Sequence, residues 1–341
     1  MSKRTGILLI NLGSPEAPNV ESIRIFLKQF LLDQRVVTLP HWLWKPILKA
    51  IVLPLRSSRL VENYKKIWTT SGSPLISIGQ QQAIKLKEAI GLEEVDVKFA
   101  CCYGPYLIES ICEEWLSTGF DQLIVIPLYP QYSETTTGVV GHRIGNILNP
   151  CQGGCAFKCK QPERCQRDRS KDPSLVSMIK TYAENKVYIN MLSDSIHEHI
   201  ARHGHSERLV VSFHGLPKRC IERGDPYADQ CRKTFDLLRA QLNDLKIQMT
   251  MTFQSRFGYD EWLLPSTEEV LTEYAQAGIK TVDVICPGFP ADCLETLEEI
   301  SLQLKAHFKE QGGKDLRYIP ALNDSERGIQ VLLNILKDFK F

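Results

Sequence analysis

The sequence predicts an α/β protein built on parallel strands, and three observations carry that prediction. The apolar runs Gly6 to Leu12, Gln122 to Leu128 and Arg208 to Phe213 lack the polar alternation of half-exposed strands and read as strands buried on both faces. Each ends in residues that break or turn the backbone, and stretches with helical spacing lie between them. A chain of 341 residues is too long for one ordinary core, and at about 150 residues per domain it divides into two units.

Bulk properties narrow the function. Lysine and arginine number 41 against 40 aspartate and glutamate, a net charge of +1 with no long basic run, so nothing points to nucleic acid. No long apolar stretch occurs, and the amino terminus (MSKRTGILLINLG) runs directly into a strand without a signal peptide's apolar block. The expectation is a cytoplasmic protein that does not span a membrane. Eleven cysteines are many for a reducing compartment, where metal binding or chemistry explains them better than disulfides.

Along the chain, Gly13-Ser14-Pro15 turns outward at the carboxyl end of the first strand, where ligands sit in open α/β sheets. Lacking GxGxxG and GK[ST], it is a poor nucleotide loop. Val20 to Leu32 has helical spacing through Ile23, Phe26, Leu27, Phe30 and Leu31. Residues 40–60 interleave Trp42, Trp44 and aliphatics with lysine and arginine. That fits either a core helix broken by Pro46 and Pro54 or a lip dipping into lipid headgroups. Lys65 and Lys66 follow, a pair able to meet a carboxylate or simply to be solvated. Val95 to Ala100 and Gln122 to Leu128 then close two βα units, each followed by an aromatic loop, Cys101 to Pro105 and Tyr129 to Ser133. Such loops suit one flat, π-rich wall.

Cys151, Cys155, Cys159 and Cys165 interrupt this rhythm. Their polar, Gly- and Pro-containing surroundings argue for an exposed loop, where free thiols are an oxidation liability and ligation explains the clustering. Zinc and a [2Fe-2S] cluster both take four thiolates, and spacing does not choose between them. A helical stretch, Met191 to His205, carries His197, His199, His203 and His205; His199 and His203 stand one turn apart, with solvated residues between them.

The run Arg208 to Phe213 delivers His214 to a strand end within SFHGLP. A long amphipathic helix (Thr234 to Leu245), a strand (247–253) and the turn Gln254-Ser255-Arg256 follow. A further strand ends at Cys286, Pro287-Gly288 turns it, and Asp292 is placed to cap a helix with Glu295 and Glu299 on one face. Imidazole and carboxylates can therefore meet across a cleft. Glu326 to Phe339 reads as the closing helix.

Five ordered motifs, GILLINLGSPEAP, LYPQYSETTTG, SFHGLP, RGDPY and CPGFPADCLETLEE, resemble the ferrochelatases nearly end to end, and the proteobacterial branch most closely. The resemblance implies two similar Rossmann-like (chelatase-type) domains, each a parallel sheet flanked by helices, with the active-site cleft between them. It divides the chain at 1–175, with the cysteine insertion at 151–165, then 176–324, with a carboxyl-terminal helix at 325–341 packing back on the first domain. The implied reaction inserts Fe2+ into protoporphyrin IX, forms protohaem and releases two protons. His214 would accept a proton or hold the metal, Glu295 would supply an anionic oxygen, and Glu299 would extend an acidic track. Leu12, Lys65, Lys66, Tyr103, Tyr129 and Pro287 are the expected porphyrin contacts.

Departures are specific. Cys293 stands where animal members have histidine, Gln303 shortens the acidic track, and Cys102-Tyr103 replaces an Arg-Tyr pair, leaving Lys65 and Lys66 as better propionate partners. Coproporphyrin-using relatives tend to show tyrosine at the position of Leu12, and an apolar residue suits the vinyl-bearing protoporphyrin. By resemblance to members with four internal cysteines, Cys151, Cys155, Cys159 and Cys165 are expected to hold a [2Fe-2S] cluster, with Zn2+ the alternative. A coproporphyrin or other tetrapyrrole chelatase and a non-catalytic tetrapyrrole- or metal-binding module are the competing functions. His214 with Glu295 favours the enzyme, since a carrier needs neither base nor acidic track. Peripheral membrane association through 40–60 and a monomer or homodimer complete the expectations.

Overall fold

A computed structural model of the chain describes residues 4–37, 39–148, 175–256 and 260–341. Cys151, Cys155, Cys159 and Cys165 lie outside the described residues.

Strands β1 (Thr5–Gly13), β2 (Val95–Tyr103), β3 (Gln122–Pro127) and β4 (Leu175–Met178) form a parallel four-stranded sheet in the order β2-β1-β3-β4. Strands β5 (Arg208–His214), β6 (Gln248–Gln254), β7 (Thr281–Ile285) and β8 (Asp315–Ile319) form a second in the equivalent order β6-β5-β7-β8. Each half thus places its first strand in the interior of its sheet. Residue 175 begins β4, so the first sheet runs three residues further, to Met178.

The side-chain period of two explains how the halves join. Ile7 and Leu9 of β1, with Leu209, Val211 and Phe213 of β5, face one shared apolar core closed by the helices Lys186–His203 and Glu326–Leu336. Leu8 and Ile10 face a second core under the helix Val20–Leu31, and Val210 a third with Val282, Val284 and Ile300. The carboxyl-terminal helix is tied to the first half where Gln82 Nε2 donates to the Asn323 carbonyl at 2.9 Å and Lys85 pairs with Asp324.

One expected feature takes a different form. The helix through 40–60 is not broken at its prolines: His41–Ile47 continues through a π turn, Leu48–Val52, into Leu53–Ile67. The wider turn shifts the hydrogen-bond register between Pro46 and Pro54, so the chain passes both. The His199 and His203 rings lie 4.6 Å apart, centre to centre, tilted by 40°, and His199 Nε2 lies 3.4 Å from the buried Asp283, so it serves the interior of the second half. Among the described residues no helix is long and apolar enough to cross a membrane.

Candidate active site

The second half supplies the charged groups. β5 ends at His214, and the turn beyond it is tight: a Cβ on Gly215 would stand 2.6 Å from the Gln254 carbonyl oxygen, which Gly215 N–H already contacts at 2.7 Å. His214 Nδ1 lies 2.6 Å from the Gly215 carbonyl oxygen. A carbonyl only accepts, so Nδ1 carries the proton of the neutral ring and Nε2 keeps its lone pair. Tyr227 of the RGDPY loop donates its hydroxyl to the His214 carbonyl at 3.0 Å, and Phe289 lies 6.3 Å from the imidazole, ring centre to ring centre.

The acidic segment is a π-helix, Glu295–Leu304, where an α-helix was expected. π-helical turns concentrate at functional sites. Asp292 does not cap its backbone; the buried carboxylate accepts from Tyr318 Oη at 2.7 Å, Thr296 Oγ1 at 2.9 Å and Asn323 Nδ2 at 2.7 Å, fixing where the helix starts. Glu299 accepts from Ser255 N–H at 2.8 Å on one oxygen, and from Ser255 Oγ at 2.5 Å on the other. Burial raises the Glu299 carboxyl above its ordinary value; the Ser255 hydrogen bond and His214 oppose that rise, and Glu295 adds to it. The Glu299 carboxyl therefore feels both His214, distant in sequence, and Glu295 on its own helix.

Cys286 and Cys293 complete this wall as neutral thiols. Burial is the main cause in both, with Glu299 and Asp292 acting on Cys286 and Glu295 on Cys293. Cys293 is thus a protonated thiol beside Glu295. Among the described residues, no group of three or more His, Cys, Asp and Glu side chains is gathered to hold a metal ion.

The first half supplies an uncharged wall and the fastenings. Leu12 is half-buried at the end of β1, where Gly13, at φ 107°, passes so close to Tyr103 that a Cβ would meet its carbonyl oxygen at 1.8 Å. Tyr64 is buried, and burial followed by the negative charge of Glu295 pushes its phenol up, which places it opposite the acidic helix. Tyr129 is half-buried with its hydroxyl covered and unpartnered among the described residues; burial raises it too.

The remaining expected contacts have protein partners. Lys66 Nζ donates to Glu298 Oε1 at 2.9 Å, across to the π-helix, whereas Lys65 pairs with Glu62 on its own exposed helix face. Each lysine already holds a protein carboxylate. Tyr103 has no exposed surface: its hydroxyl donates to Asp33 at 2.8 Å and the Arg143 guanidinium lies 4.7 Å over its ring. Pro287 is buried, and its carbonyl accepts from Tyr188.

Sequence reasoning did not assign roles to Gln254, Ser255 or Asp225. Asp225 accepts from Ser133 Oγ at 2.8 Å and Glu134 N–H at 2.9 Å, so the RGDPY loop clamps the LYPQYSETTTG loop of the other half. Gln254 closes a strand that alternates polar and apolar residues, QMTMTFQ, so nothing in the local pattern sets it apart.

Comparisons with known proteins agree with the motifs. Residues 4–339 match the family described as Ferrochelatase. A ferrochelatase of Aeromonas hydrophila subsp. hydrophila is 41% identical over 338 residues, covering 98% of each chain, and one of Escherichia coli O45:K1 is 40% identical over 337 residues, covering 99% of each. SirB from Bacillus subtilis, solved with Fe3+, shares the fold at a TM-score of 0.50 and 14% identity, over 98% of this chain and 95% of its own. DR2241 from Deinococcus radiodurans, a multi-domain protein with structural similarity to chelatases, gives 0.51 at 9% identity, over 97% of this chain and 54% of its own. Similarity of this extent, in a chain whose strand-end motifs converge on one seam between its halves, makes it a member of the ferrochelatase family.

Proposed function

We propose that the protein inserts Fe2+ into protoporphyrin IX, giving protohaem and two protons. The carrying observation is the contact of His214 Nδ1 with the Gly215 carbonyl, which in the neutral ring leaves the lone pair on Nε2, with the imidazole and Glu295 both acting on the Glu299 carboxyl. Metallation needs a base for two pyrrole N–H protons and a site that takes iron out of water. His214 Nε2 receives a pyrrole proton, while Glu295 and Glu299 offer anionic oxygens along which protons leave or iron arrives. The apolar Leu12 and the half-buried ring of Tyr129, backed by the buried phenol of Tyr64, provide a wall on which an apolar macrocycle stacks. The test is anaerobic Fe2+ insertion into proto- and coproporphyrin by wild type and His214→Ala. Near-total loss in the variant is expected; retained turnover removes His214 from the reaction, and preference for coproporphyrin replaces the substrate.

The same reading extends to a resident [2Fe-2S] cluster on Cys151, Cys155, Cys159 and Cys165. Its support is their density and the condition of other thiols: burial raises Cys101, Cys102, Cys231, Cys286 and Cys293, leaving them poor thiolate donors. Iron, acid-labile sulfide and the EPR spectrum of the reduced, anaerobically prepared protein test it. A colourless, EPR-silent protein with stoichiometric zinc refutes it.

Peripheral membrane binding through 40–60 belongs to this proposal as well. Trp42, Ile51 and Leu55 are 78%, 54% and 69% exposed on a helix that also carries Lys45 and Lys49. A water-avoiding substrate is best collected at a lipid surface.

A further inference from the structure

We propose that Ser255 is a positioning residue for iron insertion: its backbone N–H and its hydroxyl grip both oxygens of Glu299, and Gln254 ties that grip to the start of the acidic π-helix. The inference rests on the proposed chelatase activity and on a role for Glu299 within it.

Ser255 follows the last residue of β6 with φ at 66°, in the left-handed region that serine seldom occupies. That conformation serves the grip. The N–H lies 2.8 Å from Glu299 Oε1 while the hydroxyl lies 2.5 Å from Oε2, so one residue satisfies the carboxylate on both sides. Two donors from one residue on a half-buried carboxylate fix its orientation as well as its solvation.

Gln254 makes the grip rigid. It is 2% exposed, and its amide orientation is set: the Glu295 carbonyl only accepts, so Oε1 lies on the other side, accepting from Ser212 Oγ at 2.8 Å and from the Cys286 thiol at 3.4 Å. Nε2 is thereby aimed at the Glu295 carbonyl at 2.8 Å, with Glu299 Oε2 at 3.3 Å. Ser212 also bonds Thr267 Oγ1 at 2.8 Å, which bonds Thr252 Oγ1 at 2.9 Å. A buried hydroxyl and amide network thus runs from β5 through β6 to the turn of the π-helix that bears both glutamates. The backbone carbonyl of Gln254 also receives Gly215 N–H, so the residue that aligns the acids braces the turn behind His214.

Ser255→Gly tests the hydroxyl cleanly, because glycine adopts the positive φ without strain and keeps the N–H donor. Ser255→Ala is the companion variant, and both are measured in the wild-type and Glu299→Gln backgrounds by anaerobic Fe2+ insertion and thermal unfolding. The expected result is a fall of about tenfold in kcat for both variants, with KM for the porphyrin changed less than about twofold. In the Glu299→Gln background the same substitutions are expected to have almost no further effect, since the group they position is already lost. Equal losses in both backgrounds, or losses that follow thermal stability alone, overturn the proposal. So does a Glu299→Gln enzyme as active as wild type. Wild-type protein that inserts no iron overturns the chelatase reading instead, and the two failures are distinguished by the wild-type assay.

Discussion

Lys66 and Glu298, 232 positions apart, meet at 2.9 Å and join the helix Leu53–Ile67 of the first half to the π-helix of the second. Glu298 is almost fully covered while Lys66 is half exposed. Lys66→Met leaves a buried carboxylate without its counter-charge, and the expected loss is about 1–2 kcal/mol, below that of a fully buried pair because water screens the lysine end. Glu298→Gln, which removes the charge that needs compensating, is expected to cost less. Urea denaturation of the two variants checks the order.

Gly215→Ala is expected to damage activity more than folding. Its methyl group would press on the Gln254 carbonyl at 2.6 Å and the Trp262 ring at 3.1 Å, so the turn must shift and carry His214 with it. A stability loss of about 1–3 kcal/mol should accompany a fall of at least tenfold in iron insertion, roughly what misplacing a reacting group costs. Insertion kinetics beside a thermal melt decide; full activity would mean that this contact does not set the position of His214.

Asp283, inside β7, gives the second half an acid-sensitive lock. Arg317 donates to its two oxygens at 2.6 and 2.9 Å and to the carbonyls of His203 and Gly204 at 2.6 and 2.9 Å. Burial alone would raise this carboxyl, but bonds from His199, Arg317 and Ser206 outweigh it and hold the group below its ordinary range. A depressed pKa means that the folded state binds fewer protons than the unfolded state as pH falls. The contribution to stability is therefore full above the unfolded pKa and is lost as pH drops through the folded value. Arg317→Met should cost about 3–5 kcal/mol at neutral pH by stranding a buried charge, and the cost should shrink in acid as Asp283 protonates. Urea melts across the acid range test the slope.

Trp42→Ser combined with Leu55→Ser removes the two most exposed apolar side chains of the lip helix. Affinity for anionic vesicles is expected to fall about tenfold or more, while insertion into detergent-dispersed porphyrin stays unchanged. Co-sedimentation with vesicles measures the first and a detergent assay the second.

Much of this architecture is legible in single residues, because burial on both faces writes strands as continuous apolar runs. Gly6 to Leu12 and Arg208 to Phe213 mark the two interior strands, and His214 stands at its strand end. Glu295 and Glu299 are legible as a pair four apart. What is missing from the local pattern is choice of partner: nothing near Lys66 announces Glu298, and nothing near Ser255 announces Glu299. Tyr103, expected at the porphyrin, is fully covered, since an aromatic strand end suits a core and a wall equally well. The π turns escape as well, because apolar spacing reports which face is buried and is nearly blind to one extra residue in the hydrogen-bonded ring.

The repeated strand order gives the halves equivalent frames, yet their chemistry is divided. His214, Glu295 and Glu299 all come from the second half, while Leu12, Tyr64 and Tyr129 come from the first, where burial keeps both phenols protonated. On the proposed chelatase reading, a planar guest lying between them would be sided, with one face toward an uncharged wall and the other toward the groups that take up protons. A scaffold with a repeated strand order would then have a front and a back, and a disc entering it would not need to be turned over to be worked on.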